Sequence, residues 1–240
     1  MSSTDMGTTG FTSLDADLLF GLSRLDTCTV ANAIECTGVR LRNEGYMNAT
    51  IGCQTAALAP LVGYAFTLRV RTSEPPIAGH EFVDRVDWWD RLLAVPSPRV
   101  LVVEDVNDHP ASGSVLGEVH ANIYRALGCA GVITNGAVRD LPGLEQLGFP
   151  AFAAHVSVSH AYTHVIDVGG PVTVGGLKVR AGDLMHGDRH GVLSIPLDIA
   201  PRLPLIAEQN HRRERSIIDY CDSPQFTIDG LKALLEQSSQ

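Results

Sequence analysis

The chain has 240 residues, 45% of them hydrophobic and only 19% charged, with a net charge of −9. That length and apolar content suit one good-sized domain with a real core. The acidic balance argues against a nucleic-acid partner, which needs a basic face. The low charged fraction suggests surface covered by another subunit. The N-terminus lacks a basic start and a long apolar run. No stretch reaches the roughly 18 apolar residues of a membrane helix. A soluble cytoplasmic protein with no membrane partner is expected. The five cysteines (Cys28, Cys36, Cys53, Cys129, Cys221) show no CxxC and read as free thiols in a reducing compartment.

Residues 1–12 are small and polar and read as a loose arm. Apolar spacing predicts helices over Asp15–Leu22 and Asp26–Ile34, the second capped by Thr27 or Thr29. Leu61–Val70 reads as a strand and Thr72–Gly79 as a loop. Glu81–Val95 reads as a helix closed by Pro96 and Pro98, with Trp88 and Trp89 in core or interface. Arg99–Glu104 is a short buried strand of the kind found in parallel sheets. After a polar loop come a helix at Gly117–Leu127, a buried strand at Ala130–Thr134, a short helix at Leu141–Leu147 and a strand at Pro150–Ala153. This alternation implies parallel pairing. Beyond Val165 the pattern becomes antiparallel. Gly175-Gly176 joins Pro171–Val174 to Leu177–Arg180 as a hairpin, and Gly191–Pro196 is a further strand. Two amphipathic helices, Ala200–Tyr220 and Thr227–Gln237, form a tail. The expected domains are the arm at 1–12, an α/β domain at 13–200, and a helical tail at 201–240 packing on that domain or on a neighbouring subunit.

The chemistry concentrates in one stretch: Gly117-Glu118, then twenty residues, then Arg139-Asp140. Glu118 sits just inside a helix start. The backbone N–H groups near Val119, His120 and Ala121 have no partners within their helix and suit a carboxylate. Arg139 and Asp140 follow the next strand, across the Asn135-Gly136 turn, and so emerge at the same sheet edge. Ligands of open α/β sheets bind there. Asp140 can ligate a hard cation such as Mg²⁺, Glu118 can hold one of its waters, and Arg139 can neutralise charge on a substrate oxygen. The same residues also fit a purely structural arrangement: an Arg139–Glu118 ion pair, with Asp140 capping the following helix.

The chain resembles the RraA-like family, which contains 4-hydroxy-4-methyl-2-oxoglutarate aldolase and the regulator of ribonuclease E activity A. The resemblance spans about residues 20–200. It rests on LVGYAFTLRV, on GE…GVITNGAVRD…LGFPAF, and on PVTVGGLKVRAGDLMHGDRHGVLSIP. It implies a single compact α/β domain similar to the swivelling β/β/α fold. Central parallel strands are joined by an antiparallel β half and C-terminal helices. It also implies a homotrimer or hexamer with sites at subunit interfaces. By match, Asp140 would ligate Mg²⁺ or Mn²⁺, and Glu118 would hold a metal-bound water. Arg139 would steady the C2 oxygen of a pyruvate enolate. Gly117 and the backbone of Val119 and His120 would take the pyruvyl carboxylate. The implied activity is class II, metal-dependent aldol cleavage of a 4-hydroxy-2-oxo dicarboxylic acid to pyruvate, with oxaloacetate decarboxylation through the same enolate. The alternative is a non-catalytic protein that binds and regulates a ribonuclease.

There are two lysines, Lys178 and Lys232, against sixteen arginines. Neither lysine is well placed for a Schiff base, which favours a metal mechanism. Three features depart from the family pattern. Asn135 stands where relatives often carry aspartate. His120 and Asn122 stand at positions that are usually small or apolar, so the second half of the substrate can differ. Glu208 and Glu214 are candidates for an acid donated by a neighbour's tail. His155, His160 and His164 read as surface or interface histidines, since no HExxH frames them. His186, Asp188 and His190 alternate as strand-borne ligands do, but lie in the family's Gly-Asp turn. Arg212, Arg213 and Arg215 read as a solvated helix face.

Overall fold

The computed structural model describes residues 10–55, 58–76, 88–107 and 109–238. Most of the predicted arm, and the predicted helix before Trp88, lie outside those residues. The described elements, in chain order, begin with helices α1 (Ala16–Ser23) and α2 (Thr27–Thr37) and strands β1 (Gly52–Cys53) and β2 (Leu61–Arg71). Next come α3 (Trp89–Ala94), β3 (Arg99–Asp105), β4 (Ser114–Leu116), α4 (Glu118–Ala126) and β5 (Cys129–Val138). They are followed by α5 (Leu141–Leu147), β6 (Ala151–Val156), β7 (His164–Val168), β8 (Val172–Val174) and β9 (Leu177–Val179). The chain ends with β10 (Leu184–Asp188), β11 (Gly191–Ile195), a 3₁₀ turn at Ala200–Arg202, α6 (Leu203–Cys221) and α7 (Ile228–Ser238).

One mixed sheet runs β1-β6-β5-β3-β2-β10-β11, with β4 on β5 and β7 on β2. Strands β2, β3, β4, β5 and β6 pair in parallel, and β1, β7, β10 and β11 are attached antiparallel. The parallel centre and antiparallel flank match the sequence reading. Both faces of the sheet are covered, which explains the continuous apolar run of β3. Leu101 and Val103 point into a helix-side core with Leu22, Val30, Ala121 and Leu203. Val100 and Val102 point into a second core with Met47, Ile51 and the β8–β9 hairpin. That hairpin turns on Gly175 and Gly176, both at positive φ (54° and 79°), as a two-residue turn of this hand requires. Helix α6 starts inside the domain, with Leu203 and Ala207 buried, whereas no residue described in α7 is buried. No described helix is long and apolar enough to cross a membrane.

Several local expectations are corrected. The α2 cap is Asp26, not Thr27 or Thr29: its carboxylate accepts from Thr29 N–H at 2.8 Å. Asn135-Gly136 is not a turn. β5 continues through it to Val138 with a register shift between Thr134 and Ala137. The Asn135 side-chain amide replaces the missing ladder bonds. Its Oδ1 accepts from Asp105 N–H at 2.7 Å, and its Nδ2 donates to Asp105 O at 2.9 Å.

The His186, Asp188, His190 alternation is structural. His186 is fully buried on β10. Its Nε2 donates to Leu22 O at 3.1 Å, since a carbonyl can only accept. Its Nδ1 therefore accepts from Thr27 Oγ1 at 3.0 Å. Asp188 accepts from Thr27 N–H at 2.9 Å and from His190 N–H at 2.8 Å. Burial pushes the His186 pKa below its ordinary 6.5, against the opposing pull of Leu22 O and Asp188. Burial raises the Asp188 carboxyl, but the N–H groups of Thr27 and His190 outweigh it and hold its pKa down.

For both groups the unfolded chain binds the proton more tightly. Stability is therefore present at higher pH and lost as pH falls, first through protonation of His186 below 6.5. Thermal melts should show the midpoint falling from about pH 7 to about pH 5, near the ordinary imidazole range. His186→Gln should lower stability at pH 7 by about 1–2 kcal/mol and flatten that slope. A melting midpoint that does not move across this window contradicts the assignment.

Candidate active site

Strand β5 delivers Arg139 and Asp140 to the C-terminal edge of the sheet, where β4 delivers Gly117 and the start of α4. Arg139 N–H donates to Leu116 O at 3.0 Å and fixes the two chain segments side by side. Asp140 holds a left-handed backbone (φ 57°, ψ 39°), which aspartate tolerates better than most residues. Its carbonyl opens α5, accepting from Gly143 N–H at 2.9 Å and Leu144 N–H at 3.1 Å. Its side chain turns the other way. Oδ2 accepts from Glu118 N–H at 3.1 Å, and Arg139 Nε lies 3.5 Å from the same oxygen.

The sequence reading of an Arg139–Glu118 ion pair with Asp140 capping α5 is thereby corrected. Arg139 pairs with Asp140, and the Asp140 carboxylate caps α4 across the sheet edge. Glu118 directs its carboxyl over α5, where a Cβ on Gly143 would lie 2.6 Å from Glu118 Cδ. All the candidate residues thus meet at one edge: Gly117, Glu118, Val119, His120, Arg139 and Asp140.

This edge fits a hard divalent cation. Two carboxylates, Asp140 and Glu118, stand at a solvent-accessible rim, with 43% of the Asp140 side chain exposed. Mg²⁺ characteristically takes one or two carboxylates and keeps water and substrate oxygens for the rest. Gly117 lets the Asp140 carboxylate and Arg139 pack directly on its backbone, since a Cβ there would stand 2.5 Å from Asp140 Oδ2 and 3.0 Å from Arg139 Nε. Among the described residues no group of three or more His, Cys, Asp or Glu is placed to hold an ion. Among those residues there is thus no closed all-protein cage, and the arrangement to weigh is an open site with two carboxylates. Glu208, a candidate for donation to a neighbour, is paired with Arg212 on α6, and Arg215 pairs with Asp219.

A cavity of about 310 Å³ opens beside this edge. Gly117, His120 and Arg139 form its mouth with Ser114, His160, Thr163 and His164. His160 and Thr163 lie on the β6–β7 turn and His164 opens β7; the two histidines read from the sequence as surface or interface residues. Hydrogen bonds pin that turn to β4: Ser114 N–H donates to Ser159 O at 2.8 Å, and Thr163 Oγ1 donates to Ser114 O at 3.0 Å. His160 Nδ1 donates to Ala161 O at 2.9 Å and His164 Nδ1 to Tyr162 O at 2.8 Å. Both rings are held in one tautomer, with Nε2 as the acceptor. The i, i+4 spacing of His160 and His164 was visible in the sequence, but the turn that folds them against β4 was not. His155 lies on β6 and does not line the cavity. Lys178 on β9 and Lys232 on α7 do not line it either.

Comparisons with known proteins bear on the fold and the family. A protein of Halalkalibacterium halodurans named "Putative 4-hydroxy-4-methyl-2-oxoglutarate aldolase" is 25% identical over 177 residues, covering 70% of this chain and 84% of that one. A crystal structure of an uncharacterized protein from Pseudomonas syringae pv. tomato superposes with a TM-score of 0.71 at 24% identity, covering 95% of this chain and 96% of that one. Streptomyces coelicolor RraAS2, described as an unusual member of the RNase ES inhibitor RraA protein family, superposes with a TM-score of 0.65 at 22% identity, covering 85% of this chain and 97% of that one. At these identities the two structures establish the fold. The RraA-like pattern (Aldolase/RraA) matches residues 27–194, the span from α2 through β11 that builds the sheet and the charged edge, and the chain belongs to that family.

Proposed function

We propose that this protein is a divalent-metal-dependent lyase that cleaves a 4-hydroxy-2-oxo acid to release pyruvate, and that it decarboxylates oxaloacetate at the same site. One observation carries the reading. Asp140 Oδ2 joins the Arg139 guanidinium to the N-terminus of α4, and Gly117, His120 and Arg139 beside that junction line one cavity. Asp140 would hold Mg²⁺ or Mn²⁺ and Glu118 one of its waters, and the bound cation would supply Lewis-acid polarisation of the 2-oxo acid.

The protein's own groups do the rest. The first turn of α4, at Gly117, Val119 and His120, presents N–H groups and a partial positive charge to the substrate carboxylate. Arg139 faces the oxygen on C2, where negative charge develops as the bond beyond C3 breaks. A preorganised cation there lowers the barrier more than it tightens ground-state binding. Oxaloacetate develops the same charge on losing carbon dioxide. No lysine lines the cavity, in keeping with chemistry that needs no Schiff base. Curated relatives with aldolase names, at 25% and 30% identity, support the lyase reading. Exposed apolar side chains ring the same sheet edge: Val119 (71% exposed), Val156 (54%), Val158 (97%) and Tyr162 (55%). Such a rim suits burial against further copies of the chain, with the site between subunits in a trimer or hexamer.

A coupled pyruvate-release assay on 4-hydroxy-4-methyl-2-oxoglutarate and oxaloacetate, with Mg²⁺ and after chelation, tests this. Turnover should require the metal. Asp140→Asn separates the two roles of the residue, because asparagine still caps a helix. Its melting point should stay near that of the parent while metal-dependent turnover falls by about 100-fold or more. Absence of metal-dependent turnover on any 2-oxo acid, together with co-purification of a ribonuclease, would replace the lyase reading with the regulatory one.

Gly117→Ala probes the same site without backbone strain, since its φ of −136° is open to any residue. The added methyl must displace the Asp140 carboxylate and Arg139. We expect the loss of kcat/KM to exceed about 10-fold while stability changes by less than about 1 kcal/mol. Equal activity of this variant and the parent would show that Asp140 and Arg139 need not hold these positions.

A further inference from the structure

The cavity beside Arg139 is much deeper than a three-carbon acid requires, and its inner walls are apolar and aromatic. Its floor is the sheet. Val70 lies nearest the edge, the register partners Leu68 and Val103 lie two residues further in, and Leu101 two further still, each step roughly 6.6 Å at the rise of a β-strand. Its helix side is a run of rings. His120 stacks on Tyr124 at 6.1 Å between centroids, Tyr124 meets Trp88 at 5.7 Å, and Trp88 stacks on Phe66 at 5.6 Å. The first three of these rings line the cavity. Two buried polar atoms on its lining residues, Trp88 Nε1 and Ser114 Oγ, have no hydrogen-bond partner among the described residues. Trp88 is 2% exposed and Ser114 3%. Neither atom is itself accessible from the chamber, so both belong to its closely packed wall.

We infer that the substrate's second half is an aromatic ring, rather than a second carboxylate on a short chain. The inference rests on the lyase reading above and names its substrate class: 4-aryl-4-hydroxy-2-oxobutanoates. The oxo-acid end sits at Arg139 and the first turn of α4. The ring extends inward between the β2–β3 floor and the Tyr124–Trp88 wall. Rings stack favourably on such a surface. A dry apolar cavity of roughly 150 Å³ already accepts benzene, and this one holds about 310 Å³. A carboxylate pushed to the same depth would meet the apolar side chains of Leu68, Leu101 and Val132 and lose its hydration. In the reaction the C4 hydroxyl gives up its proton and the C3–C4 bond breaks. C4 becomes an aryl aldehyde, and the electron pair on C3 takes a proton to give the methyl group of pyruvate.

The test compares pyruvate release from 4-hydroxy-4-(4-hydroxyphenyl)-2-oxobutanoate and from 4-hydroxy-4-methyl-2-oxoglutarate, with Mg²⁺ present. Binding of 4-(4-hydroxyphenyl)-2-oxobutanoate, which lacks the C4 hydroxyl and cannot be cleaved, is measured by calorimetry. The aryl substrate should show a kcat/KM about tenfold or more above the dicarboxylate. Val165→Phe, which fills the chamber from β7, should reduce that preference to near unity through KM. Should it fail to fold in a thermal melt, Tyr124→Leu serves the same purpose by removing a ring of the wall. Pyruvate from the dicarboxylate alone, with no heat of binding for the aryl analogue, overturns the aromatic assignment and leaves the lyase reading standing. Binding of the analogue without pyruvate from any substrate supports the chamber and overturns the lyase reading. Neither binding nor turnover overturns both.

Discussion

The hydrogen bond from Glu118 N–H to Asp140 Oδ2 holds the functional edge of this molecule together. It crosses from the end of β5 to the start of α4, two segments separated by twenty-two positions in sequence. A carboxylate that caps its own helix would be a local event. This one caps a neighbouring helix, and it can do so because Asp140 adopts a left-handed backbone. That conformation sends the carbonyl into α5 and the side chain toward α4. Arg139 then follows the carboxylate, and Gly117 supplies the clearance both need. The site is thus a by-product of joining two helix starts at one sheet edge, with α5 opened by the Asp140 backbone and α4 by its side chain.

Much of this fold was legible in the chain because burial on both faces writes a continuous apolar run. RVLVVE reads as a buried inner strand for that reason, and it is; LVGYAFTLRV reads as a strand and proves to be an inner one too. The missed strands fail for physical reasons. β4 has three residues, too few for any period to register. β10 reads LMHGD, and its buried histidine and capping aspartate look like loop chemistry until Leu22 O and the Thr27 N–H and hydroxyl are brought against them. Asn135-Gly136 carries a strong turn signal, yet its amide does the work of two backbone groups and keeps β5 running. That substitution depends on Asp105, thirty positions earlier.

At the site, the identities of the charges were readable and their partners were not. Spacing placed Glu118, Arg139 and Asp140 at one edge but allowed two pairings, and only the sign of φ at Asp140 decides between them. The chamber left no trace in local sequence, since its walls come from β2, β3, β4, β5, β7, α4 and Trp88. His160 and His164 carried only a helical spacing on a segment that turns into β7. They reach the mouth through bonds to Ser114, on a strand the sequence did not disclose.

Helix α4 joins the chemistry to the chamber, and the economy of its packing explains how. Ala121 is its only fully buried residue, a side chain too small to fix the helix against the sheet on its own. The helix packs on β5 at that point, and its His120 and Tyr124 border the cavity. Its position therefore leans on the clamp at Glu118 and on the rings of His120 and Tyr124, one turn apart on the same face. The N–H groups that face a carboxylate and the ring that lines the chamber are rigidly related through one turn of helix. A shift of the Asp140 clamp would move the anion end and the chamber wall together. Binding of the oxo acid and selection of what is attached to it are in this way properties of one element, held by one carboxylate that can also reach a metal.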